Sequence, residues 1–211
     1  MIKLYDYFRS TACYRVRIAL NIKNIAYEKI SIHLVNHGGE QNSPEYHKIN
    51  PQGLVPSLET DGKILHQSLA IIEYLDEIFP MKPLLPQDPL IKATIRAMAL
   101  IVACDMHPLN NLRVLNQLKL QFNANEAQVM DWYHHWLKTG FDAFEEHLKQ
   151  LKRSKPVCFG NEISLADVCL IPQVYNANRF NFSMNNYPLI SEINEYCISM
   201  AAFQKAAPES I

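Results

Sequence analysis

The sequence predicts a two-part protein. An α/β segment spans residues 1–80, a proline-rich linker 81–89, and an all-helical segment 90–211. Three observations carry this. In the first 80 residues the apolar period switches between two, which marks strands, and 3.6, which marks helices. Pro80, Pro83, Pro86 and Pro89 then crowd a stretch through which no helix can run. Beyond them the apolar residues keep an almost purely helical spacing.

Each element has its own signal. Ile2–Tyr7 reads as a strand, and Thr11–Ile22 as a helix with Val16, Ala19 and Leu20 at i, i+3 and i+4. Ile30, Ile32 and Leu34 alternate with Ser31 and His33, which is strand spacing. A loop follows. Val55–Glu59 is a short strand, Asp61-Gly62 a hairpin turn, and Ile64-Leu65 its partner strand. From Ser68 the pattern is helical, with Ile71, Leu75 and Ile78 on one face. The order is βαβ followed by ββα, too small for a dinucleotide fold. After the linker, Ile91, Ile95, Met98 and Val102 share a helix face, and Leu137, Phe141, Phe144, Leu148 and Leu151 form a second core stripe. Pro108 predicts a kink or break near His107. Ser164-Leu165-Ala166-Asp167 is a capping box with Asp in place of Glu.

The bulk composition excludes several classes. The 211 residues are 48% hydrophobic and 19% charged, with a net charge of −1. That charge gives no reason to expect nucleic acid or an anionic membrane as partner. No apolar run approaches the roughly 20 residues of a membrane span, and the N-terminus lacks a signal-peptide pattern. Cys13, Cys104, Cys158, Cys169 and Cys197 are an odd, scattered set, which fits a reducing cytoplasm better than a disulfide framework. No His/Cys spacing suggests a metal site.

Three places carry chemistry. Ser10 and Thr11 stand where a strand hands over to a helix N-terminus, where free N–H groups and the dipole favour an anion. If that anion is a thiolate, Ser10 stabilises it. Lowering a thiol from a pKa of about 8.5 by two units needs roughly 2.7 kcal/mol. One hydrogen bond to a charged group supplies about 1.5–3 kcal/mol, and the helix end about 0.3–1. The same hydroxyls would also serve as plain N-caps. Asn50-Pro51-Gln52-Gly53-Leu54-Val55-Pro56 places a proline at a strand start. A cis Val55–Pro56 bond would present the Val55 backbone to a peptide-like ligand, whereas a trans edge proline is the plain alternative. His66-Gln67-Ser68 opens another helix, either to grip a carboxylate or simply to cap. A thiol site, an exposed strand backbone and a carboxylate site together fit glutathione.

These residues lie in longer strings: F-R-S-T-A-C-Y-R-V-R-I-A-L from Phe8, N-P-Q-G-L-V-P from Asn50, H-Q-S-L-A-I-I-E-Y-L from His66, L-L-P-Q-D-P from Leu84, S-L-A-D from Ser164 and P-Q-V-Y-N-A-N-R-F from Pro172. In this order they resemble the zeta class of glutathione transferases from end to end. The resemblance implies a thioredoxin-like N-terminal domain, an all-α C-terminal domain and a homodimer. It makes Val55–Pro56 cis, puts the γ-glutamyl carboxylate of the cofactor glutathione at Gln67 and Ser68, and sets Gln41 near the glycyl end. It assigns thiolate stabilisation to Ser10 with help from Thr11. One departure is that the class motif is usually S-S-C, and its cysteine aligns with Ala12. Cys13 is about 100° further round the helix and reads as a packing residue.

The resemblance further implies cis–trans isomerisation of maleylacetoacetate to fumarylacetoacetate, in aromatic amino-acid catabolism. A thiolate adds to the double bond, the resulting single bond rotates, and glutathione is expelled unchanged. The substrate is a dicarboxylate, so cations should hold it. By the resemblance, Arg179 in the N-A-N-R-F string is the first choice for the carboxylate clamp and also counts as catalytic, with a surface helix arginine as the plain alternative. Arg9 and His107 are further substrate-binding candidates, each with a plain surface or core alternative. Arg15 and Arg17 read as helix-surface or interdomain ion-pair residues. Maleylpyruvate isomerisation, general glutathione transfer and haloacid dehalogenation suit the same site. A non-enzymatic binding module would not need all three features.

Overall fold

The computed structural model describes all 211 residues, the side chain of His37 excepted. The chain divides into two units: Met1–Pro83 with Ser199–Ile211, and Leu84–Ile198. No helix is long and apolar enough to cross a membrane.

The first unit holds a four-stranded sheet in the order β2-β1-β3-β4, made of β1 (Lys3–Asp6), β2 (Glu28–Ser31), β3 (Ser57–Thr60) and β4 (Lys63–His66). β2 runs parallel to β1, and β3 lies antiparallel to both β1 and β4. This is the expected βαβ–ββα order, with a mixed sheet. Helices α1 (Thr11–Ile22) and α3 (Ser68–Ile78) pack on one another. Asp61 and Gly62 both have positive φ, 48° and 71°, as a two-residue hairpin turn requires. Lys23 ends α3: its ammonium pairs with Asp76 at 2.8 Å and donates to the Phe79 carbonyl at 2.8 Å.

Three local expectations shift. The strand expected at 30–34 is Glu28–Ser31, because its partner β1 ends at Asp6 and the last ladder bond runs from Ile32 N–H to Asp6 O. β3 starts at Ser57 rather than Val55, since Pro56 has no N–H to give the ladder. The intervening loop contains a short helix, α2 (Pro44–Ile49). Its signal was present in the sequence: Ser43 caps the Tyr46 N–H, and Pro44 occupies the first turn.

Arg15 and Arg17 are not on a helix surface. Both are buried inside this unit. α1 is covered on every side because α3 and the terminal helix α9 (Ala201–Gln204) both pack against it. Arg17 pairs with the buried Asp6 at 2.6 Å and donates to the Phe8 and Ala206 carbonyls, both at 2.9 Å. These bonds compensate its lost hydration.

The second unit is helical: α4 (Pro89–Leu100), a π-helical turn Ile101–Met106, α5 (Leu112–Phe122), α6 (Glu126–Gln150), α7 (Leu165–Arg179) and α8 (Pro188–Ile198). The helical path stops at Met106, just before His107-Pro108, as expected. Helix α7 forms the core, buried from Leu165 to Val174. Its capping box is present, and the buried Asp167 accepts from Ser164 N–H, Ser164 Oγ–H and Cys158 N–H at 2.7–2.8 Å. Leu137, Phe141, Phe144 and Leu148 are buried along α6.

Candidate functional site

The sheet topology gathers four site segments at one edge. β1 and β2 run parallel with Asp6 opposite Ser31, so the segments leading to Ser10 and Gln41 leave from the same end. Tyr5 faces Ser57 and Ser57 faces His66 in antiparallel register, so the start of β3 and the end of β4 lie at that end too. Ser10, the Gln41 loop, Val55 and Gln67-Ser68 therefore emerge together. The N-termini of α1 and α3 lie there as well, adding two positive dipole ends.

Ser10 is the N-cap of α1. Its Oγ accepts the Cys13 N–H at 3.2 Å, and its hydroxyl proton remains able to rotate toward an acceptor. Thr11, the first residue of the helix, is buried. Cys13 is fully buried, with the Tyr7 N–H directed at its sulfur at 3.5 Å. Burial, and secondarily the Asp6 carboxylate, push its thiol well above the ordinary value. The Ser10 hydroxyl, Tyr7 N–H and Arg17 act in the opposite direction and are outweighed. Cys13 stays a protonated packing residue.

Val55–Pro56 is cis. Two donors fix the loop before it: Tyr46 Oη–H and Asn50 Nδ2–H both donate to the Leu54 carbonyl, at 2.8 and 2.7 Å. Burial pushes the Tyr46 phenol up to about 12, so it remains a donor at neutral pH. Among the described residues, no hydrogen bond occupies the N–H or C=O of Val55. Gly53, at φ +61°, is needed because a Cβ there would lie 3.1 Å from the Gln41 carbonyl. The Gln41 and Val55 loops thus touch.

Gln67 has φ 69° and ψ 118°, a rare conformation for a residue with a side chain. Its Nε2 donates to Gln52 Oε1 at 2.8 Å. Ser68 is buried, and Arg15 Nη1 donates to its Oγ at 3.3 Å. A buried cation thus stands behind the intended carboxylate site. Residue reasoning missed this role of Arg15, although Thr11 and Arg15 at i, i+4 share a helix face. It also missed Gln52 as the partner of Gln67. Gln41 donates Nε2–H to the Leu34 carbonyl at 3.4 Å, while its Oε1 is buried without a partner.

In the second unit, Arg179 is the last residue of α7 and is exposed. A Schellman closure ends the helix there. Phe182 N–H donates to Ala177 O at 2.9 Å, Asn181 N–H donates to Asn178 O at 3.1 Å, and Asn181 takes φ 55°. The partners of Arg179 are Asn176 Oδ1 at 3.3 Å and the Phe180 ring at 5.0 Å. The Phe180 ring lies 4.3 Å from the Tyr133 ring, and its carbonyl is 2.9 Å from His134 Nε2. His107 is half-buried at the end of the π turn, its N–H donating to Val102 O at 2.9 Å. Arg9 is exposed in the first unit, its guanidinium 5.0 Å from the Phe8 ring centroid.

Comparison with known proteins gives matching results. The family described as glutathione S-transferase, N-terminal domain, matches residues 4–83. A probable maleylacetoacetate isomerase of Vibrio cholerae is 47% identical over 208 residues, covering 98% of this chain and 95% of that one. A glutathione S-transferase structure from Legionella pneumophila is 66% identical, with a TM-score of 0.87, over 99% of this chain and 100% of that one. A bacterial maleylpyruvate isomerase, described as a zeta-class glutathione S-transferase in its holo form, superposes with a TM-score of 0.96. It is 42% identical over 99% of this chain and 98% of that one.

Proposed function

This chain belongs to the zeta class of the glutathione transferase family, and from that premise we propose that it isomerises maleylacetoacetate to fumarylacetoacetate with glutathione as cofactor. The carrying observation is the convergence of Ser10, cis Val55–Pro56 and Gln67-Ser68 at one sheet edge.

The residues present suit glutathione. The unengaged backbone of Val55 matches a cysteinyl N–H and C=O, in the manner of an added strand. The orphaned Gln41 Oε1 needs a donor of the kind the glycyl amide offers. Ser68, with Arg15 behind it and the α3 N-terminus around it, suits the γ-glutamyl carboxylate.

Bound glutathione supplies a thiolate that adds reversibly to the cis double bond, leaving a single bond free to rotate. Ser10 holds that sulfur ionised through its hydroxyl proton, with the α1 N-terminus and Thr11 beside it. The resemblance supports Arg179 as a carboxylate clamp, with Arg9 and His107 as further substrate-binding candidates. The isolation of Arg179 from any acidic partner, among the described residues, supports its role. No protein thiol takes part, in keeping with the buried, protonated Cys13. A homodimer and a cytoplasmic location belong to the same proposal. The five free cysteines support the reducing compartment.

The test is a side-by-side assay of maleylacetoacetate and maleylpyruvate, each with and without glutathione. Glutathione-dependent conversion with the higher kcat/KM on maleylacetoacetate is expected. A higher kcat/KM on maleylpyruvate transfers the assignment to the shorter acid, and no conversion of either removes it.

A further inference from the structure

His33 has no part in the site above, yet it joins two segments that build it. Its Nδ1 accepts two backbone N–H groups of the following loop, Asn36 at 2.9 Å and Val35 at 3.2 Å. Its own N–H donates to the Glu40 carboxylate at 2.6 Å, and the Glu40 N–H donates back to the His33 carbonyl at 2.8 Å. Residues 33 and 40 thus clasp the neck of the loop, and Gln41 follows the clasp directly. Gln41 Nε2 donates to Leu34 O inside that neck. On its other side, the His33 ring lies edge-on to Tyr7 at 5.2 Å and tilted against Phe8 at 6.4 Å. Tyr7 and Phe8 lead into Ser10.

We infer that His33 is a positioning residue of the glutathione site: its Nδ1 holds the Gln41 loop in register with the Tyr7–Ser10 turn. The inference rests on the glutathione reading above. The ring nitrogen accepts both amides through one lone pair, so removing the ring removes both bonds.

Asparagine separates the acceptor from the ring. Its Oδ1 can accept amides two and three residues on, as in an Asx turn, but it lacks the ring that packs on Tyr7 and Phe8. The experiment measures binding of S-methylglutathione to wild type, His33→Asn and His33→Ala at neutral pH. Wild type should bind. His33→Ala should bind roughly tenfold more weakly at neutral pH, as loss of about 1.4 kcal/mol of hydrogen bonding implies. Its KM for glutathione should rise while kcat at saturation holds within about twofold. His33→Asn should bind near wild type. Wild-type affinity in His33→Ala, or an Asn variant as weak as Ala, overturns the inference. If wild type itself does not bind S-methylglutathione, the glutathione reading fails and takes this one with it.

Discussion

In the proposed mechanism Ser10 does two jobs with one hydroxyl. Its oxygen caps α1 by accepting the Cys13 N–H, and its proton goes to the glutathione sulfur. Ser10→Ala removes both. The cap costs about 1 kcal/mol of stability. The thiolate bond costs about 1.5–3 kcal/mol, so isomerase turnover should fall at least tenfold while glutathione binding largely survives. Steady-state kinetics with a binding isotherm check this, and near-wild-type turnover would remove Ser10 from the mechanism. Arg179 is reached differently. The Schellman closure and the Phe180 ring set its place, and its exposed guanidinium faces no acidic partner among the described residues. Arg179→Ala should raise KM for a dicarboxylate tenfold or more, with little change for a neutral electrophile. Equal changes on both would count against the clamp. The N-cap place of Ser10 was legible in the sequence because a strand-to-helix junction is a local pattern. The role proposed for Arg179 came only from the resemblance, because an arginine ending a helix has no local signature. Arg15 was misread, since burial of a guanidinium depends on what covers the helix.

Helices of the second unit are held by contacts that cross from one segment to another. Glu145 in α6 is buried and accepts the Leu189 and Ile190 N–H groups at 2.9 and 3.0 Å, capping α8 from outside its own chain segment. Gly140, also in α6, lies against the π turn that precedes His107. A Cβ there would stand 2.1 Å from Met106 Cγ, and Met106 is fully buried. The clash falls in the middle of the methionine chain, where no small rotation relieves it. Gly140→Ala should therefore destabilise by about 1–3 kcal/mol despite the better helix propensity of alanine. A thermal melt lowered by several degrees is expected, and an unchanged or raised melt would mean that Met106 repacks freely. Helix periods, the S-L-A-D box and the Asp61-Gly62 turn could be read in advance because each is decided within a few residues. The Glu145 cap and the Gly140 contact could not, because their partners lie about 45 and 34 residues away along the chain.

At the scale of the molecule, the terminal segment Ser199–Ile211 belongs to the first unit. Phe203 is fully buried, and the Ala202 and Ala206 carbonyls accept from Asn21 Nδ2 and Arg17 Nε at 3.0 and 2.9 Å. The segment thus covers the helix that starts at Ser10. Phe203→Ala should cost about 3–5 kcal/mol, seen as a melt lowered by roughly 10 °C, with S-methylglutathione binding lost along with α1. A variant that melts normally would show that α1 keeps its place without this cover.

The sequence by itself determined the run of strands and helices, the proline break, the caps and the glutathione-type motifs, because hydrophobic period, turn chemistry and capping act over a few residues. Tertiary structure decided the rest. Sheet register brought Ser10, Gln41, Val55 and Gln67-Ser68 to one edge. Burial turned Arg15 and Arg17 from expected surface charges into internal donors. The last residues closed over α1. Each of these depends on which distant segment excludes water from a group, and that is a property of the packed chain.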